Sequence, residues 1–225
     1  LESLRAVTRL FDETLHVVTR ADSDIETIAD LSGKRVSMGD VRSGTLVEAE
    51  LVLKAHGVAP SDLIRVYENP GPSADMLTAG EIDAFFMVGG APLSAVQSLA
   101  RETPIRFVPI TGEVAEEMAA AHPFLVRSRI PDNAYEGVDG ADTLAVGAVW
   151  VVSSELSEEL VYGLTRALWH ERTRKFLDDN LPHRLHIAPE TALKALGIPL
   201  HSGAAGYYFD QGWMEDGPDG AIKPA

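Results

Sequence analysis

Residues 34–45 read KRVSMGDVRSGT, and the run LVEAELVLKAHGV follows at once. Arg35, Val36, Ser37 and Met38 make a short β-rich piece that Gly39 interrupts. Ser43-Gly44-Thr45 comes next, and Leu46, Ala49, Val52 and Leu53 are then apolar at helical spacing. Strand, glycine turn, hydroxyl-bearing cap and helix, in that order, leave backbone N–H groups pointing out of a helix N-terminus. Such a terminus attracts a carboxylate or phosphate, because the helix dipole stands behind the free N–H groups. Ser43 and Thr45 add hydroxyl donors, Gly44 admits a ligand to the backbone, and Arg42 adds a positive charge. The plainer reading is that Ser43 or Thr45 is simply an N-cap, and spacing alone favours it.

The chain is long enough, at 225 residues and 45% hydrophobic, to bury one large core or two small ones. Its formal net charge of -15 provides no basic footprint for nucleic acid. Attraction of an anion must therefore be local, at a helix terminus or a particular arginine, against the field of the whole protein. The absence of cysteine excludes disulfides, thiolate metal sites and a cysteine nucleophile. No apolar run approaches the roughly 20 residues that span a bilayer, and no signal peptide is visible.

Strand and helix patterns alternate, which predicts an α/β layered fold with largely parallel sheets. Strands are expected at 15–19, 62–68, 82–88, 105–110 and 143–152, the last being the longest β-rich run. Residues 82–88 are continuously apolar, as a strand covered on both faces should be. Helical segments are expected at 25–31, 74–79, 92–100 and 156–170. The last of these carries Leu156, Leu160, Val161, Leu164, Ala167 and Leu168 on one stripe. Residues 213–225 are rich in Gly, Pro and acid and read as a flexible tail.

Two more places invite a ligand. Gly89-Gly90 follows the buried strand and would let backbone come close to a bound molecule. An ordinary strand-to-helix turn with Pro92 at the first helical position explains the same residues. Tyr135 lies in a Pro/Asn/Gly-rich loop, where its ring either meets a ligand or, the slightly better reading, packs over an edge.

Catalytic readings fail for want of partners. His183 and His186 have a metal-like spacing but no third ligand nearby, and Pro182 precedes them. His170 ends an amphipathic helix, where its ring suits the dipole. His201 and Ser202 are adjacent on a turn and cannot form a nucleophile–base pair with an orienting acid. Asp83 reads as a strand start or a cap. No G-x-S-x-G, HExxH or lysine-bearing phosphate loop is present. The chain reads as a non-enzyme without a cofactor or metal.

The order of these pieces carries a resemblance. Residues 24–36 (DIETIADLSGKRV), the G-x-x-x-SGT turn and AGEIDAFF at 79–86 are followed by Gly89-Gly90-Ala91-Pro92, His122-Pro123-Phe124 and Ile130-Pro131. Tyr135-Glu136-Gly137, Ile198-Pro199-Leu200-His201-Ser202-Gly203-Ala204 and Tyr207-Tyr208 complete the series. Together they resemble the TAXI family, the solute receptors of TRAP transporters, over the chain up to about Gly212. The resemblance implies a type II periplasmic binding-protein fold, with two lobes each built on a central sheet flanked by helices. Lobe two would be residues 25–142. Residues 1–24 and 143–212 would be part of lobe one, and a further N-terminal segment with a secretion signal would precede Leu1. It also implies a monomeric periplasmic receptor that holds a small carboxylate in an interlobe cleft. The ligand would be glutamate, glutamine or a C4–C5 dicarboxylate such as 2-oxoglutarate, and the partners TRAP-type integral membrane subunits. Gly39, Arg42, Ser43, Gly44, Thr45, Gly89, Gly90, Pro92 and Tyr135 would then be ligand-binding. Ser202 stands where the family usually has proline, a change that affects turn rigidity. A ligand-sensing effector domain of a transcriptional regulator shares the fold and is the alternative.

Overall fold

The computed structural model describes residues 2–181, 187–216 and 222–224. In chain order the elements begin with β1 (Leu4–Arg20), β2 (Arg35–Ser37), α1 (Gly44–Ala55), β3 (Ile64–Val66) and α2 (Pro70–Thr78). There follow β4 (Ala84–Gly89), α3 (Ser94–Glu102), β5 (Ile105–Phe107), α4 (Gly112–Ala121), β6 (Leu125–Ile130) and β7 (Ala141–Ser153). The chain continues through α5 (Glu158–Trp169), α6 (Glu171–Asn180), α7 (Ser202–Asp210), β8 (Met214–Asp216) and β9 (Ile222–Pro224). It divides into two compact units, one of Glu13–Val146 and one of Leu1–Asp12 with Gly147–Ala225. The sequence expectation put the crossings at 24/25 and 142/143. The units divide inside β1 and β7 instead, because each of these long strands has residues in both.

In the Glu13–Val146 unit the sheet order is β3-β2-β4-β1-β7-β6, with β5 also paired to β1. β2 is parallel to β3 and to β4. β1 runs antiparallel to β4 and β5, and β6 to β7. The sheet is therefore mixed, not largely parallel. The β1–β4 pairing that breaks the expected pattern joins segments about 70 residues apart and leaves no local mark in either.

Alternation along β1 sorts its side chains between two cores. Leu15 and Val17 join Val36, Met38, Ala49, Val52, Leu53, Ala115 and Met118, so α1 and α4 cover that face. On the opposite face Val18 joins Ala74, Leu77, Val96, Leu99 and Tyr135, so α2 and α3 cover it. Asp83 pins the start of β4 to β2. Its carboxylate accepts from the Arg35 backbone N–H at 2.8 Å and from Arg35 Nη2 at 2.6 Å, which holds its pKa below the usual carboxylate range.

The other unit packs Val7, Val161, Trp169, Ala204, Tyr207, Tyr208 and Met214 together. Trp169 Nε1 donates to Tyr208 Oη at 3.1 Å, and Tyr208 donates to the Val7 carbonyl at 3.0 Å. α5 and α7 lie so close that a β-carbon on Gly203 would run into the Glu158 carbonyl oxygen. Ser202 is the first residue of α7, the position where proline is also well suited. Among the described residues of the expected tail, β8 and β9 pair antiparallel, and Met214 is only 5% exposed.

Candidate functional site

β2 and β4 are parallel, so both end on the same edge of the sheet, and the candidate residues follow those ends. After Ser37 the Met38 N–H still bonds the Val66 carbonyl at 2.9 Å. The chain then turns at Gly39, whose φ of 84° lies in the left-handed region. Asp40 organises the turn. Its carbonyl accepts from the Ser43 N–H at 2.9 Å and from the Ser43 hydroxyl at 2.8 Å, and its carboxylate accepts from the Arg42 N–H at 3.2 Å.

Ser43 is the N-cap of α1, and its Oγ accepts from the Leu46 N–H at 3.2 Å. Its single proton goes to Asp40, so Ser43 shapes the terminus and has no proton left for a ligand. The N–H groups of Gly44 and Thr45 have no hydrogen-bond partner among the described residues, as expected of a first helical turn. Nothing lies within 4 Å of the place a Gly44 side chain would start, and Gly44 is exposed. The Arg42 side chain is exposed and makes no ion pair among the described residues. Gly39, Arg42, Ser43, Gly44 and Thr45 thus form one turn with open N–H groups at its tip.

The second group is more enclosed. Thr14 pairs with Gly89 and donates its hydroxyl to the Gly89 carbonyl at 3.3 Å. Leu93 folds back over Gly89, with Cδ2 only 2.7 Å from where a β-carbon would stand, so a side chain at Gly89 would displace the end of Leu93. The Ala91–Pro92 peptide is cis, and α3 starts at Ser94 with Leu93 as N-cap, so Pro92 precedes the helix and is not its first residue. Tyr135 is 1% exposed; its hydroxyl accepts from the Leu93 N–H at 3.0 Å and lies 3.0 Å from His16 Nε2. Its ring is in the core, joined to the 89–93 turn from behind.

Three residues here escaped the sequence reading. His16 is fully buried beside Tyr135. Glu48 lies in α1, and burial, then the nearby charge of Glu13, push its pKa up to about 7. Burial raises the Glu13 pKa too, and Glu48 Oε2 is shielded from solvent without a hydrogen-bond partner. The signals were present: Glu13 continues the alternation of Leu15 and Val17, and Glu48 lies one turn before the fully buried Val52.

His201 and His170 cap helices. The His201 ring caps α7, accepting from the Gly203 N–H at 3.1 Å while its Nε2 lies 3.1 Å from the Leu156 carbonyl. His170 ends α5 but also begins α6, where its Nδ1 accepts from the Arg172 N–H at 3.2 Å. That bond commits the Nδ1 lone pair to the start of α6. His183 and His186 lie outside the described residues. Among the described residues no group of three His, Cys, Asp or Glu side chains is placed to hold a metal ion. Among them, too, no helix is long and apolar enough to cross a membrane.

The model of the NMT1-like family matches residues 1–212. The chain belongs to the NMT1-like family. Its structure is also similar to those of solute-binding proteins. Against the periplasmic aliphatic sulphonate binding protein SsuA from Escherichia coli the TM-score is 0.43 at 13% identity, covering 92% of this chain and 59% of that one. A putative sulfonate ABC transporter's periplasmic sulfonate-binding protein SsuA from Methylobacillus flagellatus KT matches with a TM-score of 0.46 at 13% identity, over 93% of this chain and 62% of that one. A structure described with glutathione import via GshT and the cystine ABC importer TcyBC of Streptococcus mutans matches at 0.49 and 10% identity, over 83% and 66%. The NMT1-like chain spans about three-fifths of the length of the first of these, 59%.

Proposed function

We propose that this NMT1-like chain is the ligand-holding part of an extracytoplasmic solute-binding receptor, without catalysis of its own, that takes up a small carboxylate. The observation that carries the reading is the open N-terminus of α1: unpartnered N–H groups at Gly44 and Thr45, with the unpaired Arg42 next to them. A carboxylate there accepts from the two N–H groups and from the guanidinium, while Gly44 leaves room for it. Glutamate, glutamine and a C4–C5 dicarboxylate such as 2-oxoglutarate all carry the carboxylate that this terminus requires. Periplasmic location and TRAP-type membrane partners of the TAXI kind follow from the motif resemblance. An ABC-type partner is the alternative that the names of the similar structures suggest.

Native mass spectrometry of the full-length protein, followed by calorimetry with L-glutamate, L-glutamine and 2-oxoglutarate, tests the proposal. A co-purified small acid and saturable binding of one of the three are expected. Binding of sulfonates alone, or of none of these acids, overturns the carboxylate assignment.

A further inference from the structure

The hydrogen bonds around His16 can be assigned direction by direction. Nδ1 lies 2.9 Å from the Thr14 carbonyl, which can only accept, so Nδ1 carries a proton. Burial lowers the pKa of this ring from 6.5 to about 4, opposed by the carbonyls of Thr14 and Met87. No charged side chain of β1, β4, β5 or the Tyr135 loop contributes to that shift, and the rings against it are those of Phe107 and Tyr135. The ring is therefore neutral at pH 7, and Nε2 is a bare lone pair. Tyr135 Oη, 3.0 Å away, must donate to it, which leaves the phenol oxygen to accept from the Leu93 N–H.

The chain of bonds thus has one polarity: Leu93 N–H to Tyr135, Tyr135 O–H to His16, His16 Nδ1–H to the Thr14 carbonyl. Thr14 in turn pairs with Gly89 and donates its hydroxyl to the Gly89 carbonyl. Both ends of the 89–93 segment are consequently tied to the same buried chain, one through its carbonyl and one through its amide. Networks of this kind have a single low-energy arrangement, because reversing one bond leaves a buried donor or acceptor unmatched.

We propose that His16 and Tyr135 are positioning residues, which hold the 89–93 turn in one conformation at the sheet edge that carries the ligand site. The order of the turn does not depend on any ligand; only its effect on affinity rests on the function proposed above.

The test is Tyr135→Phe in the full-length protein, which keeps the ring and removes the hydroxyl. In the wild type, long-range nitrogen NMR should find His16 as the Nδ1–H tautomer, the less common one for a free imidazole. The variant should exchange the Leu93 amide at least tenfold faster and bind L-glutamate several-fold more weakly. His16→Phe should raise Leu93 exchange as well, and the double variant should exchange no faster than Tyr135→Phe alone, since both remove the same chain. Should His16→Phe fail to fold, the tautomer and the Tyr135→Phe exchange rate still decide. An Nε2–H tautomer in the wild type, or unchanged Leu93 exchange in Tyr135→Phe, overturns the proposal. If the wild type binds none of the three acids, the carboxylate reading falls while the tautomer and exchange results still judge the positioning role.

Discussion

Thr45 lies over Gly39: its Cβ and Cγ2 stand 2.8 Å from the point where a side chain on Gly39 would begin. Ser43 Oγ closes the same space from another side at 3.0 Å. The two glycines of this turn therefore have different duties. Gly39 is required by the fold, through its positive φ and this contact, whereas Gly44 faces open space.

Gly39→Ala should cost about 1–3 kcal/mol of stability, from left-handed backbone strain and the displaced Thr45. Gly44→Val should move the melting temperature by only a few degrees and abolish the ligand-induced rise in melting temperature. Thermal unfolding with and without L-glutamate checks both. A Gly44→Val protein with the full ligand shift places the anion elsewhere.

Thr45→Ala leaves the α1 N–H groups in place but removes a hydroxyl that makes no hydrogen bond among the described residues. Its affinity for L-glutamate should fall several-fold, and Arg42→Ala should weaken binding with a loss that shrinks at high salt. Calorimetry at two ionic strengths separates the contributions. Unchanged affinity in Thr45→Ala counts against the helix terminus as the site.

Acid should destabilise the fold through His16. Its pKa falls from 6.5 to about 4 on folding, so between those values the unfolded chain binds a proton that the folded one refuses. The contribution is complete above pH 6.5 and lost as the pH drops toward 4, a change of roughly 3 kcal/mol. Urea unfolding across that range should show the slope in the wild type and lose it in His16→Phe.

Glu48 acts in the opposite sense. Its pKa rises from 4.5 to about 7, so the folded chain keeps a proton that the unfolded one has released. Its contribution is present below pH 4.5 and lost as the pH rises through 7. Glu48→Gln should therefore raise the melting temperature at pH 8 and change it little at pH 5. An equal shift at both values would mean that packing, not protonation, governs the site.

Gly203→Ala should cost about 1–3 kcal/mol, because α5 and α7 must separate to admit a methyl group against the Glu158 carbonyl. Gly163→Ala, whose β-carbon would meet nothing within 4 Å, is the control and should not destabilise. Chemical denaturation of both proteins makes the comparison.

What was legible in the sequence was local. Residues 37–46 announce strand, turn, cap and helix because each step depends on neighbours in the chain, and β2, Ser43 and α1 follow that order. The start of β1 was not legible: Arg5, Thr8, Arg9 and Asp12 interrupt any apolar alternation, and Arg9 is buried only because Asp12 and the Lys194 carbonyl receive it. The end of α5 at His170 was legible, but α6 after it was not, because ERTRKFLDDN carries few apolar residues to mark a buried face. Tyr135 had no local sign of its partner, since His16 lies 119 residues earlier. Neither Glu13 nor Glu48 shows its neighbour locally, because the two meet only once α1 covers β1.

The bond from Tyr135 to His16 also bears on how relatives of this chain can diverge. A phenol hydroxyl at 135 is useful only while position 16 offers a lone pair, and a lone pair at 16 is tolerated in the core only while a donor meets it. Loss of either residue alone strands a buried polar side-chain atom, whereas exchange of both for apolar side chains removes the phenol and the imidazole together and takes these partners only from backbone groups, the Leu93 amide and the Thr14 carbonyl. Positions 16 and 135 are therefore expected to change as a pair among NMT1-like sequences. An apolar residue at 16 should go with phenylalanine or another non-donor at 135, and with a new acceptor for the amide at 93.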